Sequence, residues 1–175
     1  MKNIFIAGVA RSGKSTLANY FKKKGEYNYI PLDYFVSSLK RNFPELGIKS
    51  SVVIDKNSSN KLGIFLSRVI DIMNFSEENY IIDSAHILPR DIIKYLNKDK
   101  WDIYYLGYPN IDPREKFNII RKYDTEKDWS YSRTDEELLD ICKKLVLMSK
   151  EIEEECNILD IKFIDTSYGL NIEKN

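Results

Sequence analysis

The sequence predicts an α/β fold, a parallel sheet covered by helices on both faces, and three observations carry that prediction. Short apolar runs alternate with helical patterns along the 175 residues. One run, Tyr80-Ile81-Ile82-Asp83, is apolar up to its last residue, as a strand buried on both faces must be. Between the first apolar run and the first helical pattern stands Gly8-Val9-Ala10-Arg11-Ser12-Gly13-Lys14-Ser15, a phosphate-binding loop in the strand-to-helix context that its spacing requires.

Element by element, Asn3–Gly8 is the first strand and Lys14–Lys24 the first helix. Tyr27–Leu32 reads as the second strand, ending at Asp33, and a helix runs from about Tyr34 to Phe43, stopped by Pro44 and Gly47. The stretch Ile48–Asn60 is polar, with Asn57-Ser58-Ser59-Asn60 expected as a loop or cap. Helical spacing follows over Ile64–Met73, then the third strand Tyr80–Asp83 and a short helix from Pro89 to Asn97. Trp101–Leu106 and Ile161–Ile164 are the fourth and fifth strands. Two helices between them are the best marked of all. Asp112-Pro113-Arg114-Glu115 joins a cap, a first-turn proline and a capping-box Glu ahead of Pro113–Tyr123. Thr134-Asp135-Glu136-Glu137 repeats the box before a helix to about Cys156, whose stripe Leu138, Cys142, Leu145, Ile152 and Cys156 is core.

The loop needs each of its residue types. Gly8 and Gly13 give the backbone conformations closed to other residues, so that N–H groups of Gly8, Val9, Ala10, Arg11, Ser12, Gly13, Lys14, Ser15 and Thr16 converge on a phosphate at a helix N-terminus. Lys14 adds the cation that bridges β- and γ-phosphates, and the Ser15 hydroxyl is a ligand for Mg²⁺. Ligands of such sheets bind beyond the carboxyl ends of the strands, where Asp33, Asp83, Gly107-Tyr108-Pro109 and Asp165-Thr166-Ser167 also fall. Asp83 suits a second Mg²⁺ ligand, or else it caps the turn that follows. Asp33, beside the expected aromatic wall Tyr34-Phe35, is either the carboxylate that orients an acceptor hydroxyl or the N-cap of the next helix. Lys40, Arg41 and the lone His86 fall on the acceptor side, where a surface or packed role is the alternative.

Composition bounds the remainder. Lys+Arg 27 balance Asp+Glu 27, so neither nucleic acid nor an anionic membrane is the expected partner. Cys142 and Cys156 share one helix and read as buried apolar residues. The N-terminus reads as a strand and not a signal peptide, and no apolar run approaches the roughly 20 residues of a membrane span, so a single cytoplasmic domain over 1–175 is expected.

With these residues the chain resembles the small P-loop kinases of the nucleoside and nucleotide kinase superfamily. It is most similar to the uridine kinase and nicotinamide riboside kinase group through Gly8–Ser15, Asp33-Tyr34-Phe35, Ile81-Ile82-Asp83 and Ile164-Asp165-Thr166-Ser167. The resemblance implies a three-layer α/β/α P-loop NTPase fold with strand order 2-3-1-4-5, ATP and Mg²⁺ as cosubstrates, and an arginine-bearing lid. The lid falls at about 122–133, flanked by Arg121 and Arg133, and departs from the family in lacking a paired-arginine signature. The expected activity is transfer of the γ-phosphate to a hydroxyl or phosphate of a nucleoside, nucleotide or similar small metabolite, with Lys14, Asp33 and Arg121 or Arg133 as its catalytic residues. Its rival is a regulatory ATPase with no small acceptor. A signalling GTPase is disfavoured, since Asn60-Lys61-Leu62-Gly63 lacks the Asp of the guanine motif and Asp83-Ser84-Ala85-His86 lacks a closing Gly.

Overall fold

The structure, a computed structural model, describes residues 1–171. Its strands are β1 (Asn3–Gly8), β2 (Asn28–Pro31), β3 (Tyr80–Ser84), β4 (Trp101–Gly107) and β5 (Lys162–Asp165). Its α-helices are α1 (Lys14–Lys24), α2 (Leu32–Asn42), α3 (Lys56–Met73), α4 (Pro89–Ile92), α5 (Pro113–Tyr123) and α6 (Asp135–Leu159). The five strands form one parallel sheet in the order β2-β3-β1-β4-β5, the order expected of a P-loop NTPase fold.

Alternation along β1 explains why both faces carry helices. Phe5 and Ala7 join Ile82 and Tyr105 under α3, α4 and α6, whereas Ile4 and Ile6 join Ile81 and Leu106 under α1, through Leu17 and Ala18. All six β1 residues are buried, and each large apolar side chain there contributes about 1.5–3 kcal/mol. Pro31, which has no N–H to donate, is tolerated because β2 is an edge strand.

Several boundaries differ from expectation, each for a local reason. The helix α2 starts at Leu32, with Pro31 as its cap residue, so Asp33 is neither a strand end nor an N-cap but lies in the first turn. Asn57-Ser58-Ser59-Asn60 is helical, because Asp55 caps α3 by accepting from the Ser58 N–H at 3.0 Å. The serines that suggested a loop are buried there, with Ser59 Oγ donating to Asp91 at 2.5 Å and receiving the Leu88 N–H at 2.8 Å. The helix opened by Pro89 is one turn long and passes into a 3₁₀ turn at Ile93–Tyr95. At its far end α6 continues three residues past Cys156 to Leu159, where Asp160 takes a left-handed conformation and ends it. The two cysteines are free and buried, as expected.

Candidate active site

The phosphate loop is shaped from behind. Gly8 has φ 135°, and a Cβ there would lie 1.9 Å from the Leu106 carbonyl oxygen, so the close approach of β1 to β4 admits only glycine. Gly13 (φ 92°) heads α1 without a side-chain cap. The carbonyls of the loop are engaged in sequence. Val9 O accepts from Lys14 Nζ at 2.7 Å, Ala10 O from the Tyr108 hydroxyl at 2.8 Å, and Arg11 O from Lys116 Nζ at 2.9 Å. In a trans peptide the following N–H points opposite to the carbonyl, so these bonds turn the amides of Arg11 and Ser12 away from Tyr108 and Lys116. The Ser12 hydroxyl is buried with no hydrogen-bond partner among the described residues, as a polar atom that binds a ligand would be.

Lys116 is itself buried, 3.8 Å above the Tyr108 ring. Burial lowers its amine to about 8, aided by Arg11 and Lys14 and opposed by Cys142. Neither Tyr108 nor Lys116 was singled out as a site residue from the sequence. The only available signal was the position of Tyr108 just past a strand end.

Register sets the next group. Ile6 pairs with Asp83 and Asp83 with Pro31, which puts the Asp83 carboxylate beside the loop at the carboxyl end of the sheet. Its Oδ2 accepts from the Tyr29 hydroxyl at 2.8 Å and stands 3.4 Å from Ser15 Oγ. Burial raises the Asp83 carboxyl above its usual range, opposed chiefly by Lys14. Burial also lowers the Lys14 amine, opposed by Asp83 and Asp33. Among the described residues no cluster of three or more His, Cys, Asp or Glu could hold a metal alone. Ser15 and Asp83 nonetheless suit Mg²⁺, which is ordinarily held by one or two protein oxygens together with phosphates and water.

Asp33 meets a partner that lies far from it in sequence. Its Oδ1 is 3.1 Å from His86 Nε2, and the hydrogen bond and charge of His86, with Lys14, hold the carboxyl below the usual range against burial. Asp33, His86, Lys14, Asp83, Trp129 and Arg133 line one cleft of about 560 Å³, with Ser37, Ser50 and Ser51 on its wall. The expected aromatic wall is corrected: Tyr34 is 75% exposed and Phe35 packs tilted against Phe65, centroids 6.1 Å apart, so Trp129 supplies the aromatic surface instead. Lys40 and Arg41 do not line the cleft. On the other side of the loop a second cleft, about 520 Å³, runs between α5 and the turn after β5, lined by Gly13, Ile119, Tyr123, Tyr168 and Leu170.

The segment between α5 and α6 separates the two lid arginines. Arg121 is fully engaged: it donates to Asp135 at 2.8 and 3.0 Å, to the Arg133 carbonyl at 2.7 Å and to the Ser130 carbonyl at 3.1 Å. It does not line the cleft that holds Lys14 and Asp33, because those bonds spend its guanidinium on closing the segment's ends. Arg133 is exposed and lines that cleft. Arg114 is in the first turn of α5 and lines neither cleft.

No protein-family model and no curated protein matches the chain. Among solved structures it is similar to shikimate kinase from Bacteroides thetaiotaomicron, with TM-score 0.60 and 17% identity over 95% of this chain and 87% of that one. A shikimate kinase from Acinetobacter baumannii, in complex with shikimate, gives TM-score 0.55 and 14% identity over 97% and 86%. The chain therefore shares the P-loop kinase-like fold. These two structures do not single out the uridine kinase and nicotinamide riboside kinase group.

Proposed function

We propose that the protein is a Mg²⁺-ATP-dependent phosphotransferase acting on a hydroxyl of a small, polar metabolite. The observation that carries this reading is the meeting, in one cleft, of the phosphate-loop Lys14 with two carboxylates of opposite tendency. Asp83 is pushed up by burial, and Asp33 is held down by His86. Environments that drive two acids apart are a mark of divided roles.

In this reading the loop amides and Lys14 hold the phosphates of ATP, and its base lies in the second cleft, against Tyr123 and Leu170. Ser15 and Asp83 hold Mg²⁺, which supplies neutralisation of phosphate charge when bound. Asp33, ionised at neutral pH and fixed by His86, accepts a hydrogen bond from the acceptor hydroxyl and receives its proton. The hydroxyl oxygen bonds to the γ-phosphorus as the bond to the β-γ bridging oxygen breaks, leaving ADP. Arg133 is the cation on the lid side. The three serines on the wall suit an acceptor rich in hydroxyls, and Trp129 suits a flat or ring-shaped one.

ATP consumption with Mg²⁺ across nucleosides, nucleotides, sugars and vitamin precursors, each against a no-acceptor control, tests the reading. Acceptor-dependent ADP release is expected. Equal turnover with and without every acceptor would transfer the assignment to the regulatory ATPase. With an acceptor in hand, Asp33→Asn is expected to lower transfer by about 10²–10⁴-fold while ATP affinity is kept. Full transfer by that variant would remove Asp33 from the mechanism.

A further inference from the structure

Arg11 stands inside the phosphate loop, yet its side chain leaves it. The residue has φ 59°, a left-handed conformation that costs an L-residue about 1–2 kcal/mol. Its Nη2 donates to Asp124 Oδ1 at 2.8 Å and to Ser130 Oγ at 3.2 Å, and lies 2.9 Å from Asp128 Oδ1. Asp124 is 3% exposed at its side chain and Ser130 is buried, with Ser130 Oγ donating to Asp124 Oδ1 at 2.6 Å. Asp128 is oriented in turn by the Thr125 N–H and hydroxyl, both at 2.8 Å. These contacts join the phosphate loop to the 124–130 segment across more than 110 residues of sequence. The next residue along from Asp128 is Trp129, which lines the acceptor cleft, and Arg133 follows on the same segment.

We propose that Arg11 is a positioning residue, a latch that couples occupancy of the phosphate loop to the placement of Trp129 and Arg133 over the acceptor cleft. The inference rests on the reading of Gly8–Ser15 as a nucleotide site. Arg11 lines both clefts, so a polyphosphate in the cradle brings negative charge alongside the same guanidinium that Asp124 and Asp128 hold. The two sets of anions compete for one cation, and a ligand shifts an equilibrium by its differential interaction with the two arrangements. Asp124 also faces Arg121, 3.5 Å away, so its carboxylate keeps a partner when Arg11 turns to phosphate. Arginine suits an exchange between carboxylate and phosphate, because it stays charged and its planar fork fits either anion.

Trp129 emission, with Trp129→Phe identifying its share, tests the latch in the full chain, alongside calorimetric titration with Mg-ADP as the probe. In the native protein saturating Mg-ADP is expected to change Trp129 emission. In Asp124→Asn/Asp128→Asn, Mg-ADP is expected to bind within about threefold of native affinity while most of that change disappears. Asp128→Asn alone, at the more exposed carboxylate, is expected to lose part of it. Arg11→Asn, which suits the left-handed backbone, is expected to lose the change when read at Mg-ADP saturation. A full Trp129 response in the saturated Arg11→Asn and double variants would overturn the latch, as would Mg-ADP binding to the native protein with no Trp129 response. Failure of the native protein to bind Mg-ADP at all would instead overturn the nucleotide-site reading beneath it.

Discussion

The sheet around β1 and β3 and the segment from Asp124 to Arg133 are held together by opposite means. The sheet is fixed by apolar side chains buried on both faces, from Phe5 and Ile82 on one side to Ile4 and Ile81 on the other. The segment is fixed chiefly by charge and hydrogen bonds, Arg11 to Asp124 and Asp128, Arg121 to Asp135, and Ser130 to Asp124, with Trp129 packed against Ile120, Leu138 and Cys142 as its apolar contact. Apolar packing is non-directional and tolerates little displacement, so it holds the Gly8–Ser15 loop closely in place. Ion pairs with an exposed partner, such as Arg121 to Asp135, are worth little each and are weakened by salt, while the pair of Arg11 with the buried Asp124 carboxylate is the firmer one; under the proposed latch, this is a set of contacts that an arriving anion can reset. The same molecule thus places Lys14 on the rigid part and Arg133 on the adjustable one.

Substitutions in each region sharpen that contrast. The largest effect is expected from Lys14→Ala, which is predicted to lower phosphoryl transfer by at least about 10²–10³-fold with the circular dichroism spectrum retained. Turnover at the native rate would remove the rigid part from the chemistry. Next is Phe5→Ala, with no bearing on charge, predicted to cost about 3–5 kcal/mol in denaturant unfolding. An effect below about 1 kcal/mol would mean that the sheet is not the stable half of the comparison.

The smallest effect concerns Lys116, which belongs to neither region but braces the loop between them. Its amine titrates near 8 in the folded protein and near 10.5 once unfolded. Between those values the unfolded chain binds more protons, so this group makes stability rise with pH over that window. At neutral pH Lys116 is charged in both states and the fold bears the cost of burying it. Lys116→Met is therefore predicted to flatten the rise in unfolding free energy between about pH 8 and 10, in melts compared with the native protein. An unchanged slope would show that the amine is hydrated and titrates normally.

Much of this arrangement is legible along the chain, and the omissions have a common cause. The fold class, the phosphate loop, Asp83 and the N-caps Asp112 and Thr134 are local patterns, in which a few adjacent residues carry the whole physical reason, although only Thr134 closes a capping box, with Glu137, while Glu115 does not reach back to Asp112. Ser58 and Ser59 misled because polar residues suggest a loop, whereas Asp55 and Asp91 satisfy them inside a helix. Arg121 misled in a different way. Its place at the edge of a polar segment suits a lid cation, but Asp135 and two carbonyls, brought in by the turn itself, consume its donors.

The sequence by itself determined where the proposed phosphate cradle lies, because it is built from one strand end, one loop and one helix start that follow one another directly. Tertiary structure alone decided what surrounds it. Tyr29 joins Asp83, His86 joins Asp33, Tyr108 and Lys116 support the loop carbonyls, and Arg11 reaches Asp124. Each of those partnerships spans some 50 to 115 residues and depends on strand order and register, which set who meets whom only after the sheet has closed.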